Sequence, residues 1–575
     1  MNDNRTGYPS IDRPWLRYYT QGLDVPPYKG SIYSHILHKN KDYPLDTCIQ
    51  YFGRKINYKE LFENVEDIAR VLYSYGVRKG NHVALLMLSC PELVYLILAL
   101  NKIGAVANMI NPLFEESQIR DRINDTESEL LISLDQLFGR VENIQGELCV
   151  KDIVVVPLEN SMPKMTKFVA HFKLKKNIEY VGKVSSWATF IKKYSNKNIE
   201  VEECNEDDLP AVMVYSSGTT GASKGIVLIN RGINATIAHY EHTGFKYERD
   251  YSFLQIIPTW FSTGIIVCMM MPLCCGISVV LEPVFNEENF SNDILKYKPN
   301  MIMGPTSLWL HAMKELKKKK TDLSFITYPI TGGEKILPET ENMLNDILKR
   351  NGCKSHLVTG YGMCELGSTV TTTSVEHVKA GTAGYPILGV TVAAFNPVTN
   401  EECKYGERGE IRVLTPARMK EYFKRPDATG EFFWKDSEGR EWGCTGDIGY
   451  MDEDGFAYIQ GRATDYFTNK EGKRVYCFDI EDMALQMDEV YQCEAIGVPS
   501  DNGNDVLFLF VVLKEGINQD DKLVQGKIET HCRAKLENSS VPDVIRVLDK
   551  FPVKGSGKRD MEKITEMAKR ILTEG

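Results

Sequence analysis

The chain has 575 residues, of which 43% are hydrophobic and 25% charged, enough for one large core with smaller units beside it and close to the globular average. Asp and Glu total 78 against 68 Lys and Arg, and the net charge of -10 excludes a global basic field that would recruit nucleic acid. The 14 Cys form no C-x-x-C pair and only Cys274 and Cys275 adjoin, so neither a zinc knuckle nor a disulfide framework is expected, and a cytoplasmic protein is.

In chain order, residues 1–15 are polar and carry no apolar export segment. Residues 82–88 read as a buried strand, 91–102 as an apolar helix opened by Pro91, and 104–110 as a second strand, together a βαβ unit. The run 163–176, PKMTKFVAHFKLKK, interleaves five Lys and no acid with Met165, Phe168, Val169, Phe172 and Leu174. Two readings of it stay open: peripheral contact with a membrane surface, or a solvated helix face. Residues 209–214 read as a strand that leads into YSSGTTGASKG, 215–225. Residues 252–281 then run for thirty positions without an Asp, Glu, Lys or Arg, long enough to span a bilayer. Pro258, Gly264, Pro272 and Gly276 interrupt that run, which predicts a buried strand, turn, helix and second strand instead.

The α/β alternation returns with strands over 300–303, 325–331 and 355–359 and helices over 307–317 and 338–350. From 384 to 458 the pattern changes to short β runs between Gly, Pro and Asp, a small β subdomain. After Gly461 and Arg462 an α+β pattern begins, with a helix near 479–487 and a strand over 506–513. The expected fold class is therefore α/β: a large N-terminal domain, 1–462, of parallel α/β layers plus a small β subdomain, followed by a small α+β C-terminal domain, 463–575.

The sharpest chemical signal is the Ser/Gly/Thr loop. Gly218 and Gly221 let backbone N–H groups approach an anion, Ser216, Ser217, Thr219 and Thr220 add hydroxyls, and Lys224 supplies a point charge, which together describe a phosphate cradle. The spacing G-x-x-G-x-x-K is not that of an ordinary P-loop. A flexible connection would have a similar composition.

Four further runs follow in order: GYGMCELG at 360–367, GCTGDIGY at 443–450, GRATDYF at 461–467 and GSGKRD at 555–560. With the loop, they resemble the adenylate-forming superfamily of acyl-CoA synthetases, adenylation domains and luciferases over roughly residues 45–565. The resemblance implies an ATP-dependent, AMP-forming acid–thiol ligase. Ser216, Ser217, Gly218, Thr219, Thr220, Gly221 and Lys224 would hold the ATP phosphates, and Gly332, Gly333, Glu334 and Tyr361 would line the adenine, with Gly362 and Cys364 beside them. Asp447 would take the ribose hydroxyls with Arg462 nearby, and Glu365 would coordinate Mg²⁺, as a hard oxygen ligand can. Lys558 would contact the carboxylate and α-phosphate during adenylation, carried by a mobile C-terminal domain hinged at Thr464. Taken alone, Asp447 also reads as a turn residue, Glu365 as a helix-start carboxylate and Lys558 as solvated surface.

This chain departs from the family pattern at Cys364, where Thr is usual, at Thr464, where Asp or Lys is usual, and at Cys477 and Asp479, where Pro and Glu are usual. The acid pocket falls on Trp260, Phe261 and Gly264 in PTWFSTG, with Phe261 at the family's aromatic gate; a plain core aromatic is the other reading of Phe261. No acid stands there to pair an amino acid's ammonium, so a hydrophobic, fatty acid is expected as substrate and free coenzyme A as acceptor. Transfer to a separate carrier protein, and a nucleotide-binding protein that has lost catalysis, remain alternatives. A homodimer is a further expectation.

Overall fold

Thirteen consecutive residues, Pro91–Ile103, form a helix in which every residue is buried. A helix that is apolar all round belongs inside a large protein, and this one is flanked by the parallel strands His82–Leu86 and Val106–Met109 of the βαβ unit. Two of its polar residues are paired in place. Asn101 accepts from the Tyr33 N–H at 3.0 Å and donates to Asn230 at 2.7 Å, and Lys102 pairs with Glu66.

The computed structural model describes residues 5–19, 26–174, 176–216, 223–283, 285–316, 321–469, 471–500, 505–514, 516–517, 521–537, 540–552 and 559–574. Among these the chain divides into two compact units, 1–445 with 450–459, and 446–449 with 460–575. The boundary expected at 462/463 lies a few residues inside the second unit.

The first unit holds two large sheets. In one, Val358–Tyr361, Tyr328–Gly332, Met301–Gly304, Ser252–Gln255, Ser278–Leu281 and Thr47–Tyr51 are successive parallel neighbours, and short antiparallel strands close both edges. In the other, Val106–Met109, His82–Leu86, Leu130–Leu134, Asp152–Val156 and Val184–Ser186 run parallel, and Pro210–Tyr215 joins them beside Val106–Met109. The small β subdomain is a sheet of Thr391–Phe395, Gly409–Leu414, Glu441–Met451 and Phe433–Lys435, with Ala457–Arg462 paired to the long strand.

The uncharged run 252–281 differs in detail from its expectation. Strand Ser252–Gln255 and strand Ser278–Leu281 are present, but the helix between them is α over Ser262–Ile265, π over Ile266–Met270 and α again over Met271–Cys274. Pro272 has no N–H to close a bond four residues back, and the turn before it is wound wider, with the Met271 N–H reaching the Ile266 carbonyl.

In the second unit, Val490–Pro499 pairs antiparallel with Asp505–Leu513, which pairs parallel with Val544–Val547. Leu507, Leu509 and Val511 face helices Cys477–Leu485 and Asp521–Lys535, while Phe508, Phe510 and Val512 face helix Met561–Glu574. Burial on both faces is why this strand is a continuous apolar run rather than an alternating one.

Candidate active site

The strand Pro210–Tyr215 is followed by an antiparallel partner, Gly225–Ile229, so the Ser/Gly/Thr loop is the turn of a hairpin and not a strand-to-helix junction. Its neck is closed by three hydrogen bonds: Ser216 N–H to the Lys224 carbonyl at 3.0 Å, Lys224 N–H to the Ser216 hydroxyl at 3.0 Å, and the Ser223 hydroxyl to the Ser216 carbonyl at 2.6 Å. Ser216 thus fixes the direction in which Lys224 leaves the strand. Ser217, Gly218, Thr219, Thr220 and Gly221 lie outside the described residues, as does Lys558.

Lys224 projects over the ring of Tyr422, its Nζ 4.8 Å from the ring centroid. The Tyr422 hydroxyl donates to Glu365 Oε1 at 2.8 Å, and both residues are buried. The arrangement is backbone-determined. Glu421–Tyr422 pairs antiparallel with Gly225–Ile229, Tyr422 opposite Ile226, and the Met419 N–H donates to the Glu365 carbonyl at 2.7 Å. A lysine and a carboxylate are therefore held by one aromatic residue, which sequence reasoning missed. The only signal available was a tyrosine in the mixed run MKEYFK, 57 positions from Glu365.

Glu365 sits in the short turn Cys364–Leu366, after strand Val358–Tyr361. A Cβ on Gly362 would overlap the Ser368 carbonyl, so the chain can double back there only with glycine. Helix Asn230–Glu241 holds the far side of the turn, Thr236 donating to the Gly367 carbonyl at 2.9 Å and Tyr240 bonded to Thr369 at 2.8 Å. Among the described residues no group of three His, Cys, Asp or Glu side chains could hold a metal alone. A divalent ion at Glu365 would need further oxygens from a nucleotide's phosphates, which suits Mg²⁺.

Gly332 and Tyr361 end two adjacent parallel strands, with Gly332 paired to Gly360. The crevice at the carboxyl ends of parallel strands is where open α/β sheets bind ligands. Gly333 follows with φ +80 and open space at its missing Cβ. Glu334, expected at the adenine, has its carboxylate committed elsewhere, accepting from the Ser307 N–H at 2.9 Å and hydroxyl at 3.1 Å at the start of helix Thr306–Leu316.

The acid-side residues come off the end of strand Ser252–Gln255. Gln255 is fully buried and clamps their loop, donating to the carbonyls of Ile257 at 2.6 Å and Gly264 at 3.3 Å while accepting from Ser89 at 2.7 Å. Trp260 and Phe261, 6.2 Å apart at their ring centroids, are half-buried on this loop. Gly264 packs backbone to backbone, since a Cβ there would overlap the Pro258 carbonyl. Ser368 donates to Ser262 at 2.7 Å, which ties the acid loop to the Glu365 turn. One turn further on, burial raises the Cys268 thiol far above its ordinary range, so it stays neutral.

In the second unit Asp447 is buried and pairs with Arg462, Nε to Oδ1 3.2 Å. The Ala463 N–H donates to the Gly446 carbonyl at 2.8 Å, holding the two segments together. Beyond Thr464, burial raises the Asp465 carboxyl above the usual carboxylate range, against the Thr464 hydroxyl and the Arg462 charge.

Residues 37–423 match the AMP-binding enzyme family and residues 479–558 its C-terminal domain, so the chain belongs to the AMP-binding enzyme family. Among curated relatives it is 25% identical to a long-chain-fatty-acid–CoA ligase of Bacillus subtilis over 554 residues, 95% of this chain and 96% of that one. It is 28% identical to acetyl-coenzyme A synthetase 1 of Kluyveromyces lactis, covering 88% of this chain and 73% of that one. Among solved structures, ATP-bound MatB from Rhodopseudomonas palustris superimposes with a TM-score of 0.79 at 21% identity over 94% of this chain and 99% of that one. The anthranilate CoA ligase AuaEII in complex with anthranoyl-AMP gives 0.78 at 20% identity over 96% and 99%. At these identities the structural likeness is one of fold. The expectations of the adenylate-forming family, the α/β fold and an acyl-CoA synthetase are borne out. Among the described residues no helix is long and apolar enough to cross a membrane.

Proposed function

We propose that the protein joins a hydrophobic, straight-chain carboxylic acid to coenzyme A in two half-reactions. The carboxylate attacks the α-phosphate of ATP, releasing pyrophosphate and leaving acyl-AMP; the thiol then attacks the acyl carbon, AMP leaves and the thiol proton is lost. Splitting one difficult condensation into two steps is the logic of covalent catalysis. The observation that carries the reading is the Lys224–Tyr422–Glu365 array at the neck of the loop, joined through Ser368 and Ser262 to a pocket loop without formal charge.

In this reading Lys224 neutralises phosphate charge, Glu365 orients the Mg²⁺ that accompanies ATP, Tyr361 stacks on adenine, and Asp447 takes the ribose hydroxyls with Arg462 holding its carboxylate. The Ser252–Leu281 run has no cation or anion to pair a charged tail, and a buried unpaired charge costs several kcal/mol, so amino acids and dicarboxylates are rejected. Lys558 serves adenylation alone, delivered by a second unit that swings about Thr464.

The test separates the half-reactions. Lys558→Ala is expected to lose acyl-AMP formation, read by hydroxamate trapping, by orders of magnitude while still converting preformed acyl-AMP and coenzyme A to thioester. Equal loss in both assays contradicts the assignment of Lys558. Thioester formation with a holo-carrier protein and not with coenzyme A contradicts the acceptor.

A further inference from the structure

Helix Lys164–Leu174 turns its apolar stripe away from the protein. Met165, Phe168, Val169 and Phe172 follow the spacing i, i+3, i+4, i+7 that ordinarily marks the core-facing side of a helix. Here they are 86%, 67%, 52% and 71% exposed, and Phe168 and Phe172 meet edge to face, centroids 5.0 Å apart. The opposite side makes the attachment. Ala170 is buried, Leu174 packs on the large core and its carbonyl accepts from Gln136 at 2.8 Å, and Lys167 Nζ reaches the Asn160 carbonyl at 3.0 Å. The helix is thus fixed to the first unit through Ala170, Leu174 and Lys167 and presents Met165, Phe168, Val169 and Phe172 outward.

The charge around the stripe is of one sign. At 100° per residue, Lys164 and Lys173 fall on the two flanks of the apolar arc, and both are exposed. The run 163–176 holds five Lys and no acid, in a chain whose net charge is -10, and the carboxylates on the loops beneath it, Asp135 and Glu159, are buried. An exposed apolar arc bordered by lysines suits a surface that is apolar below and anionic at its rim, with the lysine stems extending up to the headgroups. A second copy of the chain fits less well. A two-fold contact would set lysine against lysine. The four side chains also offer only on the order of 500 Å², short of the about 800 Å² per partner of a standard interface.

We propose that this helix is a docking surface for an anionic lipid bilayer, lying in the interface with Phe168 and Phe172 at the acyl boundary and Lys164 and Lys173 at the headgroups. The docking is a property of the surface and stands whichever acid the active site takes.

The experiment is flotation of the full chain with phosphatidylcholine vesicles, with and without about 30 mol% phosphatidylglycerol, at low salt and at about 0.5 M NaCl. The wild type is expected to float with the anionic vesicles, at least tenfold less with neutral ones, and to be released by salt. Phe168→Ser with Phe172→Ser, and separately Lys164→Glu with Lys173→Glu, are each expected to lower bound protein about tenfold or more while AMP release with a water-soluble acid stays at the wild-type rate, which shows the variants folded. Flotation unchanged in the variants, equal on neutral vesicles, or absent in the wild type overturns the proposal. So does dimerisation without vesicles that the serine variants abolish, which would assign the face to a second copy.

Discussion

Around Glu365 the first unit gathers charge and hydroxyls: Lys224 lies over the ring of Tyr422, whose hydroxyl donates to the Glu365 carboxylate, and two backbone pairings place them. The loop 257–264, bonded to that stretch through Ser262, is built the other way, with no formal charge and its one buried polar clamp, Gln255, spent on carbonyls. On the function proposed above, the difference is one of what each side must recognise. Phosphates need fixed donors and cations, which a low-dielectric setting strengthens, whereas an acyl chain needs volume and no unpaired charge.

Variants on the two sides should therefore fail in different kinetic constants. The largest effect is expected from Lys224→Ala, a fall of about 10²–10³ in acid-dependent pyrophosphate exchange with the acid KM little changed. A change confined to the acid KM would break the division. Gly264→Val forces a Cβ into the Pro258 carbonyl and should displace Trp260 and Phe261, lowering kcat/KM for the acid about 10²-fold while ATP binding by calorimetry is retained. Loss of ATP binding in that variant would mean the two sides are not separable.

Beneath both sides lies a pH-dependent support. Burial pushes His239 down to about 3, and burial with the Lys424 charge pushes His82 down to about 4. Both stay neutral in the fold while the unfolded chain takes up protons below about pH 6.5, so stability is full above that value and falls on acidification through it. Each should cost about 2 kcal/mol at about pH 5, measured by urea unfolding at two pH values. His239→Phe should shrink the difference between the two, and an unchanged difference would contradict the assignment. The smallest effect belongs to Tyr422→Phe, which keeps the ring under Lys224 and removes one hydrogen bond to a carboxylate: about a tenfold fall in adenylation, with a higher Mg²⁺ requirement. Were Glu365→Gln to raise the Mg²⁺ requirement and Tyr422→Phe to leave it alone, Tyr422 would not be orienting the carboxylate.

How legible these features were in the sequence follows from the range of the interactions that create them. The βαβ alternation, the wholly buried helix at Pro91 and the paired glycines of the Ser/Gly/Thr loop are local patterns, and they are readable because periodicity and glycine spacing carry them. Lys224 and Glu365 are readable as residues in motifs. Their common partner is not, because Tyr422 reaches them through a two-residue strand whose pairing no local pattern announces. Gln255 is hidden for the same reason: its importance lies in two carbonyls downstream and a serine in the distant turn before helix Pro91–Ile103. The π-helical turn before Pro272 could have been suspected from the proline, though its winding depends on the packing that holds the helix together. The stripe at Met165–Phe172 shows a different limit. Its period was plain, but period alone does not say whether the protein or something else covers the face.

The most direct measurement of the account is a chain-length series: acetate, fatty acids from C6 to C18, benzoate and several amino acids, each scored by AMP release and hydroxamate trapping with coenzyme A present. The account predicts kcat/KM rising about fourfold per methylene, from about 0.8 kcal/mol of burial each, to an optimum among the straight chains and then falling sharply. A preference for acetate or for an amino acid, or a flat response to chain length, would contradict it.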